Sequence, residues 1–285
     1  MNNQVTFFEA RKWASFRIKN QSELDMYDVD FILQHRSRFS ATDLLIHYQQ
    51  IMPAQLWRQF QADIEALLAG MPPQYIVHMA EFYGLSLMVN PAVLIPRIET
   101  EELVDWILNE TSLQARDRLR ILDIGTGSGA IALALKKQRP NWQVVASDIS
   151  RQALSVAQTN AARLNVKIDF VESDVFEQIS GQFDLIVSNP PYISTKETPY
   201  MDHRVLEHEP KLALYAAEDG LAIYKQLALG ASQHLKSGGR LFIEIGFHQE
   251  QAVSRIFHRA MPAAQISTKH DTAGHQRMIQ VRKGS

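Results

Sequence analysis

Residues 119–138 read LRILDIGTGSGAIALALKKQ, and the fold class turns on them. RILDI is a short, largely apolar run of the kind buried on both faces of a parallel sheet. It enters the Gly-rich turn Gly125-Thr126-Gly127-Ser128-Gly129, after which AIALALKKQ reads as a helix. The same alternation continues downstream. WQVVAS is a strand ending at Asp148, RQALSVAQTNAARL a helix, VKIDFVE a third strand and FDLIVS a fourth. A helix is expected over 219–235, a turn at Gly238-Gly239, and a fifth strand in RLFIEI. Alternating units of this length predict an α/β fold, a parallel sheet with helices on both faces. The last two strands, near 264–269 and 276–282, are joined too tightly for a parallel crossover. They predict an antiparallel pair at the end of a seven-stranded sheet.

Upstream the character changes. Residues 1 to about 73 read as helices only. Leu56, Phe60, Ile64, Leu67 and Leu68 recur at helical spacing, with Pro53 in the first turn and Gly70, Pro72 and Pro73 as a stop. Ser40, with Asp43 three residues on, opens a shorter helix. Residues 74–98 contain YIVHMAEFYGLSLMVNPAVLIPR, rich in β-branched and aromatic residues and holding Gly84 and Asn90-Pro91. They predict a β-hairpin linker. A helix follows from about Thr100 to Asn109, with Thr100 as its N-cap. The expected organisation is a helical domain over 1–73, a hairpin over 74–98 and an α/β domain over 99–285.

Composition narrows the class of activity. The chain has 285 residues, about two domains' worth. Its 29 Lys and Arg against 31 Asp and Glu leave a net charge of -2. Neither half hides a basic domain: residues 1–77 carry 7 basic and 8 acidic side chains. A protein that holds nucleic acid through phosphates usually shows a basic excess, so stable nucleic-acid binding is not expected. There are no cysteines, which removes disulfides, thiolate metal sites and cysteine nucleophiles. The ten histidines lack metal-ligand spacing; His203 and His208 flank Glu207 at i, i+5, so no metal is expected. With no basic start before an apolar stretch and no run of 18 apolar residues, a cytoplasmic protein is predicted, outside the membrane.

The Gly-rich turn is the candidate cofactor site. Glycines let a ligand approach the backbone, and the following helix N-terminus offers unpaired N–H groups. Asp123, Asp148 and Asp174 stand at the carboxyl ends of successive strands, where ligands bind in open parallel sheets. Asp148 is placed to accept from both ribose hydroxyls; the lesser alternative is to cap the helix after it, where Ser150 could also cap. Asp174 and the backbone of Val175 suit an adenine edge. A dinucleotide site typically reads G-x-G-x-x-G, whereas the third glycine here comes one residue early. An acid-lined pocket without Lys or Arg in the loop fits the cation S-adenosylmethionine better. The pattern from Asp123 to Gly129 resembles the first motif of seven-strand methyltransferases.

Asn189-Pro190-Pro191-Tyr192 follows the fourth strand. The prolines stiffen the backbone, so that the Asn189 side chain and the Pro190 carbonyl present two acceptors to one planar NH₂ group. Tyr192 adds an aromatic face for stacking. Those features suit an amide or adenine nitrogen as methyl acceptor. The four residues resemble the [DNS]-P-P-[YFW] motif of nitrogen methyltransferases. Leu94-Ile95-Pro96-Arg97-Ile98-Glu99-Thr100-Glu101 resembles the L-I-P-R-P-E-T-E signature of the HemK family, which methylates the glutamine of the GGQ loop in peptide-chain release factors. Phe82-Tyr83-Gly84, Glu244-Ile245-Gly246 and Asp271-Thr272-Ala273-Gly274 with Arg277 also resemble that family.

The resemblance implies a Rossmann-like methyltransferase sheet behind a small all-α domain that docks the substrate. It implies a cytoplasmic monomer that uses S-adenosylmethionine on release factors. Gly125, Thr126, Gly127, Ser128, Gly129, Asp148, Asp174, Val175 and Asn189 would meet the cofactor. Asn189, Pro190, Pro191 and Tyr192 would hold the glutamine. Ile98 stands where the family usually has proline, which relaxes the turn. Arg97 and Glu99 either fix that turn or reach the cleft, and the long segment 193–215 either gates or docks the substrate. Ribosomal-protein glutamine and DNA adenine are the alternative acceptors. The charge balance and the absence of a target-recognition domain disfavour DNA.

Overall fold

The computed structural model describes residues 4–21, 24–111 and 118–284. The chain forms two compact units, residues 1–79 with 202–208, and residues 80–201 with 209–285. Five helices open it: α1 (Phe7–Ile18), α2 (Met26–Ser37), α3 (Ala41–Ile46), α4 (Ala54–Leu68) and α5 (Pro73–Val77). Strands β1 (Met79–Phe82) and β2 (Leu85–Met88) form a hairpin, and α6 (Ile98–Glu110) follows. Then come β3 (Arg120–Ile124), α7 (Ala130–Gln138), β4 (Gln143–Asp148), α8 (Arg151–Arg163), β5 (Asp169–Glu172) and β6 (Phe183–Ser188). After a 3-10 turn at Thr195–Tyr200 stand α9 (His203–His208), α10 (Lys211–Leu214), α11 (Ala217–Gly220) and α12 (Ala222–His234). The chain closes with β7 (Leu235–Glu244), α13 (Glu250–Ala260), β8 (Gln265–His270) and β9 (Gln276–Arg282).

In the first unit, α1, α2 and α3 each start with a reciprocal capping box, Thr6 with Glu9, Asp25 with Asp28 and Ser40 with Asp43. Pro53 stands one position earlier than expected, at the N-cap of α4. Phe60, Ile64 and Leu67 of α4 are buried against Ile32 and Leu33 of α2. Arg36 clamps Asp63 with two parallel bonds, Nε–Oδ2 at 2.7 Å and Nη2–Oδ1 at 2.9 Å, and Nη2 also donates to the Ile76 carbonyl. A buried carboxylate needs such partners.

The second unit is built on a seven-stranded sheet of order β5-β4-β3-β6-β7-β9-β8. All neighbours are parallel except β7–β9 and β9–β8. One face packs on α6, α7 and the hairpin, with Leu103, Ile107, Leu133, Phe82 and Leu87 fully enclosed. The other packs on α12 and α13 through Tyr224, Leu227, Val253 and Phe257.

Three expectations need correction. Tyr75-Ile76-Val77 is helical: Pro73 at N1 seeds a turn that ends at left-handed His78, so the hairpin spans only 79–88. That hairpin packs in the core of the second unit, and the units part at 79/80 rather than at 73/74. Gly238-Gly239 does not end an element. It lies in an irregularity of β7, where Leu235 pairs with Phe183 and Arg240 with Leu185, so four residues of β7 stand opposite one of β6.

Candidate active site

A cavity of about 320 Å³ opens at the carboxyl ends of β3, β4 and β6 in the second unit. Its size suits a small-molecule ligand. Of the residues expected at the site, Gly125, Thr126, Gly127, Ser128, Asp148, Asp174, Val175, Asn189, Pro190 and Pro191 line it. Gly129 and Tyr192 stand behind the wall. Gly129 has φ +85°, and a Cβ there would lie 3.1 Å from Leu133 and 3.2 Å from Ala157, so glycine lets α7 and α8 close up on the loop.

Asp148 ends β4. Its Oδ2 accepts from the Gly127 N–H and its Oδ1 from the Ser150 N–H, both at 2.9 Å. Ser150 itself caps α8 by accepting from the Ala153 N–H. Asp148 thus ties the Gly-rich turn to the start of α8. Burial raises its pKa above the ordinary carboxylate range, against those backbone donors.

Asp123 does not join the cavity. It is fully buried beneath the turn, where Oδ2 accepts from the Thr126 hydroxyl at 2.7 Å and the Ala132 N–H at 3.2 Å. Its Oδ1 is buried without a protein partner. Burial pushes its pKa up to about 7, and the charge of Asp148 adds to that. The convergence of three acids therefore reduces to two, because the third points inward to hold the turn.

Val175 carries φ +46°, a conformation a β-branched residue rarely adopts. The Ser173 hydroxyl donates to its carbonyl at 3.2 Å, which helps to hold the turn beside Asp174. Asn160 supplies a support that no motif announced. Its Nδ2 donates to the carbonyls of Ser128 and Met88, and its Oδ1 accepts from the Met88 N–H. The back of the Gly-rich turn is thereby fastened to β2.

Asn189 follows β6, and its Nδ2 donates to Thr100 Oγ1 at 3.0 Å. Thr100 is not the N-cap expected for α6. That helix begins at Ile98 with Arg97 at the cap, and no side chain bonds there. Thr100 is the third helical residue, buried and turned inward, so its hydroxyl is free to bond elsewhere; it donates to Glu244 Oε2 at 2.7 Å. Burial raises Glu244 to about 7, with the Thr100 bond and Arg277 opposing the shift. Tyr192 packs beside the α12–α13 layer. Its carbonyl accepts from Gln249 Nε2 at 2.9 Å and would lie 2.1 Å from a Cβ at Gly220, where φ is +83°. Burial pushes the Tyr192 phenol up to about 12, so it is protonated at neutral pH.

Arg97 lines the cavity and pairs with buried Glu209, Nη2–Oε1 at 2.5 Å; the Ile95 N–H also donates to Glu209. Pro210, Leu212 and Ala213 beyond Glu209 line the cavity as well. The 193–215 segment is therefore largely ordered into short helices rather than a plain loop. Thr100, Asn160, Glu209 and Glu244 lack a sequence signal for their partners, because these bonds span 32 to 144 residues. Among the described residues, no group of three or more His, Asp or Glu is placed to hold a metal.

The PrmC N-terminal domain family matches residues 9–77, and the Methyltransferase small domain family matches residues 107–213. A release factor glutamine methyltransferase of Streptococcus pneumoniae is 46% identical over 257 residues, 90% of this chain and 91% of that protein. This chain belongs to the release factor glutamine methyltransferase family. A relative of the same name from Lactococcus lactis is 43% identical over 258 residues, 90% of this chain and 94% of that protein. The crystal structure of a methyltransferase from Pyrococcus furiosus has a TM-score of 0.54, covering 79% of this chain and 98% of that chain at 20% identity, a likeness of fold.

Members of this family are enzymes that use S-adenosylmethionine. The cavity suits that cofactor: two aspartates and no lysine line it, which favours a ligand bearing an amine and a sulfonium. Arg97, paired with Glu209, is the cationic group in the wall. No described helix is long and apolar enough to cross a membrane.

Proposed function

We propose that this chain methylates the side-chain amide nitrogen of the glutamine in the GGQ loop of peptide-chain release factors. It acts in the cytoplasm, as a monomer, and without holding nucleic acid stably. The observation that carries the reading is the state of Asn189. Its NH₂ end is occupied by Thr100, which leaves Oδ1 to accept, and Asn189 and Pro190 both line the cavity. An unmethylated carboxamide has two N–H groups to offer that pair.

An amide nitrogen is a weak nucleophile because its lone pair is delocalised into the carbonyl. Two acceptors on its N–H groups return electron density to nitrogen and fix the direction from which it attacks. Positioning of this kind is the main contribution to rate. S-adenosylmethionine, when bound, supplies an activated methyl group on a sulfonium. Asp148 and Asp174 would hold its nucleoside end, and the Gly125–Gly129 turn would let the rest approach the backbone. Pro190 and Pro191 keep the acceptor segment rigid. Tyr192, neutral at physiological pH, packs behind that segment and backs it from the α12–α13 side.

Mass spectrometry tests the reading. A candidate release factor incubated with enzyme and cofactor is expected to gain one methyl on the GGQ glutamine. A methyl on DNA adenine or a ribosomal-protein glutamine instead, under the same conditions, would assign the acceptor elsewhere.

A further inference from the structure

The orientation of the Asn189 amide is decided two residues away from it in the hydrogen-bond network. Asn189 Nδ2 donates to Thr100 Oγ1, and the Thr100 hydroxyl donates to Glu244 Oε2. Thr100 is 5% exposed and Glu244 2%, so water competes little for either bond. A threonine hydroxyl has one proton. Once that proton goes to the carboxylate, the oxygen can only accept, and its other neighbour has to present an N–H. Asn189 satisfies this with its NH₂ end alone, which turns Oδ1 the other way. Without the hydroxyl, or with a proton on Glu244, the reversed amide becomes comparable. The reversed amide would set its own NH₂ against the NH₂ of a substrate.

We propose that Thr100 and Glu244 are positioning residues that lock the Asn189 amide with its oxygen toward the methyl acceptor. The inference rests on the acceptor reading above. The surroundings of Glu244 support it. Arg277 from β9 is the leading charge that favours the carboxylate, and Arg97 at the start of α6 adds to it. Glu99 on α6 opposes them. Tyr192 and Tyr224 also face Glu244. Arg277 is itself held, with Nε donating to Asp271 Oδ2 at 3.2 Å.

Thr100→Val keeps the shape and removes the hydroxyl. It is expected to lower kcat on the order of 10-fold to 100-fold, with the cofactor Kd close to wild type and the thermal midpoint a few degrees lower as Glu244 and Asn189 lose a buried partner. Thr100→Ser is expected to restore most of the rate. The wild-type kcat should fall as pH drops through about 7, and Glu244→Gln should flatten that limb. A substrate-independent readout is the side-chain ¹⁵N–¹H pair of Asn189, assigned by its loss in Asn189→Ala. One of its protons should lie downfield in the wild type, lose that shift in Thr100→Val and regain it in Thr100→Ser. Equal loss in the valine and serine variants would overturn the proposal, as would an unmoved Asn189 resonance or an acid limb retained in Glu244→Gln. A wild-type enzyme inactive on the GGQ glutamine, with the resonance behaving as expected, would overturn the acceptor reading and leave the orientation standing.

Discussion

The Gly-rich turn after β3 and the acceptor segment after β6 sit side by side at the same sheet edge, and they are built in opposite ways. The turn is held chiefly by bonds to the two strands beside it. Gly127 and Thr126 act through bonds to Asp148 and Asp123, which lie 21 and 3 residues away. The acceptor segment depends on side chains recruited from afar, with Thr100 and Gln249 lying 89 and 57 residues from their partners Asn189 and Tyr192. Each region also contains a buried acid raised to about 7, but the two do different work. Asp123 anchors a loop, whereas Glu244 directs a proton that determines which end of Asn189 faces the cavity. The turn draws on short-range bonds with Asn160 as a distant support, whereas aiming a single amide needs a tertiary network.

The sharpest way to break this comparison is Asn189→Ala. Methyl transfer should fall by about 100-fold or more, since an acceptor used in positioning the nucleophile is gone, while cofactor affinity changes little. Labelled-methyl incorporation and titration calorimetry separate the two quantities, and a surviving rate would remove Asn189 from its role. Asp148→Ala should do the reverse. Cofactor Kd is expected to rise by about 10-fold to 100-fold, with kcat at saturating cofactor within a few-fold of wild type.

Gly129→Ala probes the loop as packing. A methyl group at φ +85°, within 3.2 Å of Ala157, should cost about 1–3 kcal/mol of stability, read as a lower urea midpoint. The last expected effect is on the pH dependence of stability. Asp123 holds a proton in the folded chain up to about pH 7 but releases it near 4 when unfolded. The folded state therefore binds more protons between those values, and this group's contribution to stability falls as pH rises from about 4 to about 7. Asp123→Asn should flatten that part of the urea-midpoint profile. An unchanged slope would show that Asp123 ionises freely in the folded protein.

Much of the fold was legible because its signals are local. RILDI followed by a Gly-rich turn needs no distant partner to read as strand and helix start, and its placement in the centre of a parallel sheet follows from its apolar run. The capping box at Ser40 was visible for the same reason. Local signals also misled. Tyr75-Ile76-Val77 has strand composition, yet Pro73 and the tertiary contacts of Ile76 and Val77 place it in a helix. Thr100 looked like a cap because a threonine near a helix start usually is one; its burial beside Glu244 overrode that habit.

The amino-acid sequence by itself determined the α/β class and the places of the Gly-rich turn and of the Asn-Pro-Pro-Tyr segment after two of its strands. Each of these is written in residues close enough to fold on one another. Tertiary structure alone decided that Asp123 turns inward, that Asn160 fastens the turn to β2, and that Thr100 and Glu244 set the direction of Asn189. The physical reason is that a buried polar atom takes its partner from whatever strand or helix packs beside it. That neighbour is set by sheet order, and its distance along the chain carries no trace of the contact.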